Sequence, residues 1–298
     1  MKRRTFLGAS GLAAASALMT HPEKLFGQER PDLVVVRNGE PASLVREAVQ
    51  ALGGMSRFVG KGDIVVVKPN MSWDRAPEQG ANTNPQVVAE VIRLCLDAGA
   101  KKVKVFDRTL NEPIRCYRRS GIEEAARQAG AEVSHIFERK FRKVSLPSGE
   151  LLRSWEFYDE CLDADVFINI PAAKHHSISG VSLGMKNIMG LLGGNRGTIH
   201  RDYDKKIADL NTAIKPKLVL LDAYRILKRN GPSGGNLADV EVRKTLVAGI
   251  DPVAIDSYGV TLFDRKPAEI AFLSEAVKRG LGTTDLSKLN IRTIELKA

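Results

Sequence analysis

The chain has 298 residues, 43% hydrophobic and 27% charged, an ordinary globular composition that excludes a mostly disordered, collagen-like or multi-spanning membrane protein. Its three cysteines, Cys95, Cys116 and Cys161, include no Cys-x-x-Cys, so a disulfide scaffold, a zinc ribbon and a Cys-ligated iron–sulfur cluster are not expected. The net charge of +10 favours an anionic partner without choosing between a small molecule, an acidic envelope surface and nucleic acid.

Residues 1–28 read as a twin-arginine (Tat) export signal. Lys2-Arg3-Arg4-Thr5-Phe6-Leu7 is a charged start with adjacent arginines, and residues 8–19 form a mildly apolar run rich in Ala, Gly and Ser. The same residues also fit the basic start of a Sec signal. The run is too short for a membrane span, which takes about 20 apolar residues. No stable transmembrane segment is therefore expected after cleavage, for which Ala15-Ser16-Ala17 offers a small-x-small site. The expected partner is the Tat translocase, and the expected location is periplasmic or otherwise extracytoplasmic.

The first strand falls at residues 32–37. A helix follows over residues 43–52 with Ser43 as N-cap, and residues 53–62 turn the chain. Residues 64–68 (IVVVK) are the continuous apolar run of a strand covered on both faces, ended by Pro69-Asn70. After a polar loop, a helix starts at Asn84-Pro85 and shows Val88, Val91, Ile92, Cys95 and Leu96 at helical spacing. Residues 102–107 form the next strand, completing a unit that forces a parallel pair and a right-handed crossover.

Further on, the pattern predicts a helix over 122–129, a strand over 132–137 and a hairpin over 140–157 around Pro147-Ser148-Gly149. A buried strand over 165–170 ends at Pro171, and helices follow over 182–192 and 205–214. Strands at 217–222 and 246–250, helices at 252–262 and 268–279, and a strand at 291–296 complete the set. The expected fold class is α/β, with residues 29–298 forming an open, mainly parallel β-sheet with helices on both faces and a small β-hairpin insertion. Such sheets bind ligands outside the carboxyl ends of their strands.

Those ends carry Lys68-Pro69-Asn70, Asp107, Pro171-Ala172-Ala173-Lys174-His175-His176, Asp222 and Gly249-Ile250-Asp251-Pro252. Asp107 and Asp222 fit a turn or cap as well as they fit chemistry, whereas Asp251-Pro252 reads first as an N-cap followed by Pro at N1. Residues 174–202 hold three of the five histidines together with Lys174, Lys186, Arg196 and Arg201. Gly184 and Gly190 within a helix each cost roughly 1 kcal/mol relative to Ala. Either something approaches that backbone closely or the helix packs tightly on the sheet. The loop Gly193-Gly194-Asn195-Arg196-Gly197 can offer main-chain amides to an anion, yet it is neither a Walker A loop nor a dinucleotide fingerprint.

His175, His176 and His200 fit metal ligands, acid–base groups or plain polar surface, with Asp107 as a fourth candidate ligand. A divalent metal is thus an open cofactor. Lys186 lies between apolar Leu183 and Ile188-Met189. Buried, it loses its proton more easily and suits a base or covalent nucleophile; snorkelling outward, it suits phosphate binding.

Taken in order, Val65-Val66-Val67-Lys68-Pro69-Asn70, Thr83-Asn84-Pro85, Ala98-Gly99-Ala100, Lys174-His175-His176, Gly184-Met185-Lys186-Asn187 with Met189-Gly190, and Gly249 with Asp251-Pro252-Val253-Ala254 and Asp256 resemble the family called domain of unknown function 362 (DUF362), over about residues 60–265. Some members of that family carry ferredoxin-type iron–sulfur segments. This chain departs there, having no cysteine cluster, which puts an electron-transfer role in doubt. The order His176, Lys186, His200 is also similar to the nickel-pincer lactate racemase family, in which a lysine carries the pincer cofactor and nearby histidines ligate nickel or move protons; the flanking motifs differ.

The function expected is that of an exported enzyme acting on a small anionic substrate. Lys186, His176 and His200 would be catalytic, while Lys68, Asn70, Lys174, Asn187 and Arg196 would hold the anion. A non-catalytic envelope protein binding an anionic ligand through the same groups, and a nickel-pincer racemase-like enzyme, are the alternatives. Nucleic acid is not expected, given the export signal, 6% aromatic residues and no recognisable module.

Overall fold

A computed structural model describes residues 30–297, so the export signal read in residues 1–28 lies outside the described residues. Twelve strands are described: β1 (Leu33–Arg37), β2 (Ile64–Pro69), β3 (Lys102–Val105), β4 (Glu132–Val133), β5 (Phe141–Ser145), β6 (Ser154–Tyr158), β7 (Val166–Ile170), β8 (Ala172–His176), β9 (Gly180–Ser182), β10 (Leu218–Leu227), β11 (Val240–Gly249) and β12 (Ile291–Glu295). Among them lie α1 (Pro41–Ala51), α2 (Pro85–Asp97), α3 (Pro113–Arg119), α4 (Ile122–Gln128), α5 (Asp159–Leu162), α6 (Gly184–Asn187), α7 (Tyr203–Asn211), α8 (Pro252–Thr261) and α9 (Ala271–Lys278).

The main sheet runs β12-β1-β11-β10-β7-β2-β3-β4, with β8 and β9 branching from β10. It is mainly parallel; β11 alone runs antiparallel to both its neighbours, β1 and β10, and β9 antiparallel to β8. β5 and β6 pair antiparallel as a separate ribbon, which is the expected hairpin insertion.

Alternation along the strands builds a core on each face. Val34, Val36, Val65 and Val67 point to one side, where α1, α2, α3 and α4 bury Leu44, Val88, Tyr117 and Ile122. Leu33, Val35 and Val66 point to the other, covered by Met185 of α6, Leu210 of α7, Val253 of α8 and Phe272 of α9. Two-sided cover is why β2, β7 and the first half of β10 read as unbroken apolar runs.

Helix starts follow their caps. Asn84 accepts from the Gln86 amide, and Asp251 accepts from the amides of Val253 and Ala254, each followed by Pro at the first helical position. α1 begins at Pro41 rather than after Ser43, because Pro41 supplies the preset φ without a side-chain cap. Three expected elements change more. The strand over 132–137 shrinks to Glu132–Val133. The helix over 182–192 is one short turn, α6, followed by a 3₁₀ segment Ile188–Leu191. Beyond Pro171 the chain continues as β8 instead of entering a loop.

Strand order places the site. From β2 the chain winds through β3 to β4 on one side, while β7 neighbours β10 on the other. The winding direction reverses between β2 and β7, and a crevice opens at their carboxyl ends. There Lys68 pairs in register with Asn169, and Pro69 with Ile170.

Candidate functional site

Four segments converge on the crevice: the end of β2 with the loop after it, β8, the turn from α6 to Leu191, and the 3₁₀ segment Arg196–His200. Together they line a cavity of about 140 Å³. Asn70, Lys174, His176, Lys186, Asn187, Arg196 and His200 all reach it. No Asp or Glu lines it.

Its floor is a hydrogen-bonded polar chain. Lys68 is fully buried and forms an ion pair with Asp107 at 2.9 Å. It also donates to Asn187 Oδ1 at 2.9 Å and to the Pro69 carbonyl. Asn70 Nδ2 donates to the same Asn187 oxygen, and Asn187 Nδ2 donates to Asn169 Oδ1 at 2.8 Å. Lys174 Nζ donates to Asn70 Oδ1 at 2.8 Å and to the Ala81 carbonyl at 2.6 Å. Asn169, the one polar residue inside β7, was not singled out from sequence; an amide interrupting an otherwise apolar strand is its signal.

The cations above this floor lack acid partners. Burial lowers Lys174 to about 7, with Lys68 and Lys186 adding to the effect and Asp107 opposing it. Burial, helped by Arg196, also lowers Lys186 to about 7. Lys186 Nζ approaches only the Met189 thioether, at 3.4 Å, and lies 4.6 Å from the Tyr203 ring centroid. The buried reading of Lys186 is the one the geometry adopts; its side chain does not snorkel out.

β8 sorts the two adjacent histidines by alternation. His176 shares the pocket face with Lys174, whereas His175 points away and accepts from the Gly231 amide through Nδ1. His176 Nδ1 accepts from the amides of Ile178 and Ser179, which leaves the ring proton on Nε2. Burial, then Lys186, lowers His176 to about 3, so this imidazole is neutral. His200 stacks on His176 at 6.0 Å and on Tyr203 at 6.0 Å, and burial lowers it too.

These contacts correct the candidate metal set. His175 faces elsewhere, His176 holds a proton on the nitrogen a metal would need, and Asp107 is engaged by Lys68, the Met71 amide and the Ser72 hydroxyl. Among the described residues no three His, Cys, Asp or Glu side chains gather as ligands. In the glycine loop three of the five amides are already engaged: that of Gly193 bonds the Glu156 carbonyl, that of Arg196 bonds the Gly194 carbonyl, and that of Gly197 bonds the Asn195 side chain. Arg196 itself donates to the carbonyls of Arg108, Met189 and Thr109, latching two loops together while keeping its charge beside the pocket.

The two helical glycines are explained by buried carboxylates of the chain itself. A Cβ on Gly190 would fall 1.7 Å from Asp107 Oδ1, and one on Gly184 would fall 2.8 Å from Asp256 Oδ1. Asp256, on α8, accepts from the Gly184 and Met185 amides and so holds the start of α6, which carries Lys186 and Asn187. Asp222 is buried likewise, accepting from the Asn84 and Tyr224 amides. Ser72, Trp73, Leu110, Ser182, Met189 and Pro232 complete the pocket wall and were not predicted. Their types carry no chemical signature in sequence, and only the fold brings them together.

The ordered motifs behind this geometry match the family described as Domain of unknown function (DUF362) over residues 65–261. The chain belongs to the DUF362 family. A thylakoid-associated protein of Synechocystis sp. is 26% identical over 254 residues, covering 83% of this chain and 77% of that protein. Two solved structures are similar at lower identity. The lactate racemase apoprotein from Thermoanaerobacterium thermosaccharolyticum has a TM-score of 0.42 and 14% identity, covering 72% of this chain and 54% of that one. A Thermotoga maritima structural-genomics target has a TM-score of 0.45 and 13% identity, covering 76% of this chain and 60% of that one. The DUF362 chain thus spans less than two thirds of either solved structure.

Proposed function

We propose that this DUF362 protein is an enzyme acting on a small anionic molecule in the crevice between β2 and β7. One observation carries the reading: Lys174, Lys186 and Arg196 line a small cavity that holds no acid side chain. Buried cations without counter-ions are costly, and an anionic ligand offsets that cost. Arg196 supplies standing positive charge and Lys174, held by oxygen acceptors and protonated once an anion sits beside it, adds to it, with Asn70 and Asn187 as neutral partners. Lys186 is the base or nucleophile, and neutral His176 donates from Nε2 to a developing oxyanion.

Titration calorimetry with small carboxylates and inorganic phosphate tests the pocket. Micromolar to millimolar binding by the native chain, lost in Lys174→Met, is the expected result. Binding that survives in Lys174→Met refutes the assignment.

Export through the twin-arginine route is the reading that Lys2 to Leu7 and the apolar run of residues 8–19 support. The thylakoid association of the Synechocystis relative is compatible with an extracytoplasmic place, and no described helix is long and apolar enough to cross a membrane. Arg3→Lys with Arg4→Lys should hold the precursor in the cytoplasm; undiminished export would assign the leader to the other pathway.

A further inference from the structure

We infer that the substrate is a small 2-oxo acid, captured by condensation of its carbonyl carbon with Lys186 Nζ, an inference that rests on the anion pocket proposed above. The three buried lysines of the crevice are held in three different ways. Lys68 has Asp107 at 2.9 Å and is a structural cation. Lys174 donates to two neutral oxygens, Asn70 Oδ1 and the Ala81 carbonyl, which aim its head and leave one N–H for a ligand. Lys186, 8% exposed, has only a thioether sulfur at 3.4 Å and a ring face at 4.6 Å. A carboxylate would fix a proton on an amine far more firmly than either of these.

This division of roles selects the ligand. A plain anion needs fixed cations alone, and Lys174 and Arg196 provide them. Lys186, whose head no oxygen acceptor holds, is not needed for such a ligand, but an amine free to turn toward the cavity and able to shed its proton near neutrality is the nucleophile a carbonyl needs. A carboxylate next to a carbonyl uses both features at once. The cavity, about 140 Å³, suits a molecule of few heavy atoms, and Met189, Trp73 and Pro232 give it apolar wall beside the cations.

The step balances without an oxidant or reductant. The Nζ lone pair of the neutral amine attacks the carbonyl carbon, a C–N bond forms as the C=O π pair moves to oxygen, and that oxygen takes up one of the two amine protons. The resulting carbinolamine expels that oxygen as water, the nitrogen gives up its remaining proton, and a C=N bond is left. His176, whose Nδ1 is occupied by two amides, offers Nε2–H to the oxygen throughout.

The test uses the whole chain with pyruvate or the smaller glyoxylate, followed by borohydride, which reduces an imine to a stable secondary amine. Intact mass and peptide mapping should show one adduct per chain on Lys186. It should disappear in Lys186→Met and fall at least tenfold in Lys174→Met. An adduct formed equally in Lys186→Met overturns the inference. No adduct with either acid, while calorimetry shows pyruvate binding that Lys174→Met abolishes, overturns the covalent step and leaves the anion pocket standing. No adduct and no binding of pyruvate, glyoxylate or phosphate overturns both.

Discussion

Asp107→Asn isolates the ion pair under the pocket. The substitution keeps the side-chain shape and an oxygen to accept from the Met71 amide and the Ser72 hydroxyl, but it removes the charge 2.9 Å from Lys68 Nζ. Lys68 and Asp107 are both buried, so the ammonium is left without its counter-ion in a medium that solvates it poorly. Removing one member of a buried pair costs about 3–5 kcal/mol. Against a total stability of about 5–15 kcal/mol, that is a large share. Urea unfolding should show a clearly lower midpoint with an unchanged slope. Lys68→Met combined with Asp107→Asn removes both charges and should regain most of the loss. Burial already lowers Lys68, and without Asp107 its pKa falls further. The ammonium carried by the unfolded chain but not by the folded one then makes the variant's deficit shrink as pH rises toward 10. A single variant as stable as the native chain, or a double variant no better than the single, refutes the reasoning.

Gly190→Ala should destabilise more than Gly184→Ala, because its Cβ would fall 1.7 Å from Asp107 Oδ1 rather than 2.8 Å from Asp256 Oδ1; overpacking costs about 1–3 kcal/mol, and thermal melts rank the two. Lys174 and Lys186 have folded pKa values of about 7, below their unfolded value, so the unfolded chain binds more protons between pH 7 and 10. Stability should therefore rise across that window by up to about 1.4 kcal/mol per pH unit for each lysine, and the rise should flatten in Lys174→Met with Lys186→Met. His176, lowered to about 3, takes up a proton on unfolding below pH 6.5, so acid should destabilise the native chain from there downward. His176→Asn, whose amide oxygen can still accept from the Ile178 and Ser179 amides, should lose stability less steeply over that range in urea titrations at stepped pH.

The parallel core was legible because β2, β7 and the first half of β10 are buried on both faces and show as short apolar runs. The outer halves of β10 and β11 were missed. Residues 223–227 and 240–245 mix polar and apolar side chains, and it is the pairing of β10 with β11 that carries the strands through them. β8 was missed because Ala-Ala-Lys-His-His lacks strand composition; its extended shape comes from pairing with β9 and β10. The lysines and asparagines of the site were readable as polar residues stopping apolar runs at a switch point. Nothing in the sequence distinguished Lys68, neutralised by Asp107, from Lys186, left without an acid, since that difference depends on a carboxylate from β3's end. The tautomer of His176 was equally hidden, being set by two amides of the turn that follows it.

The position of β1 has a kinetic consequence. It lies inside the sheet between β11 and β12, with Arg37 and Glu295 in contact across 258 positions of sequence. The first of the described strands to leave the ribosome therefore waits, unpaired, until both its neighbours have been synthesised. Contacts this remote in sequence close the largest loops and slow folding. Four consecutive aliphatic side chains of β1, Leu33 to Val36, stay available for wrong pairing in the meantime. Completion of the fold is in this way tied to synthesis of its last strands, and a nascent fragment ending before β11 has no proper seat for β1.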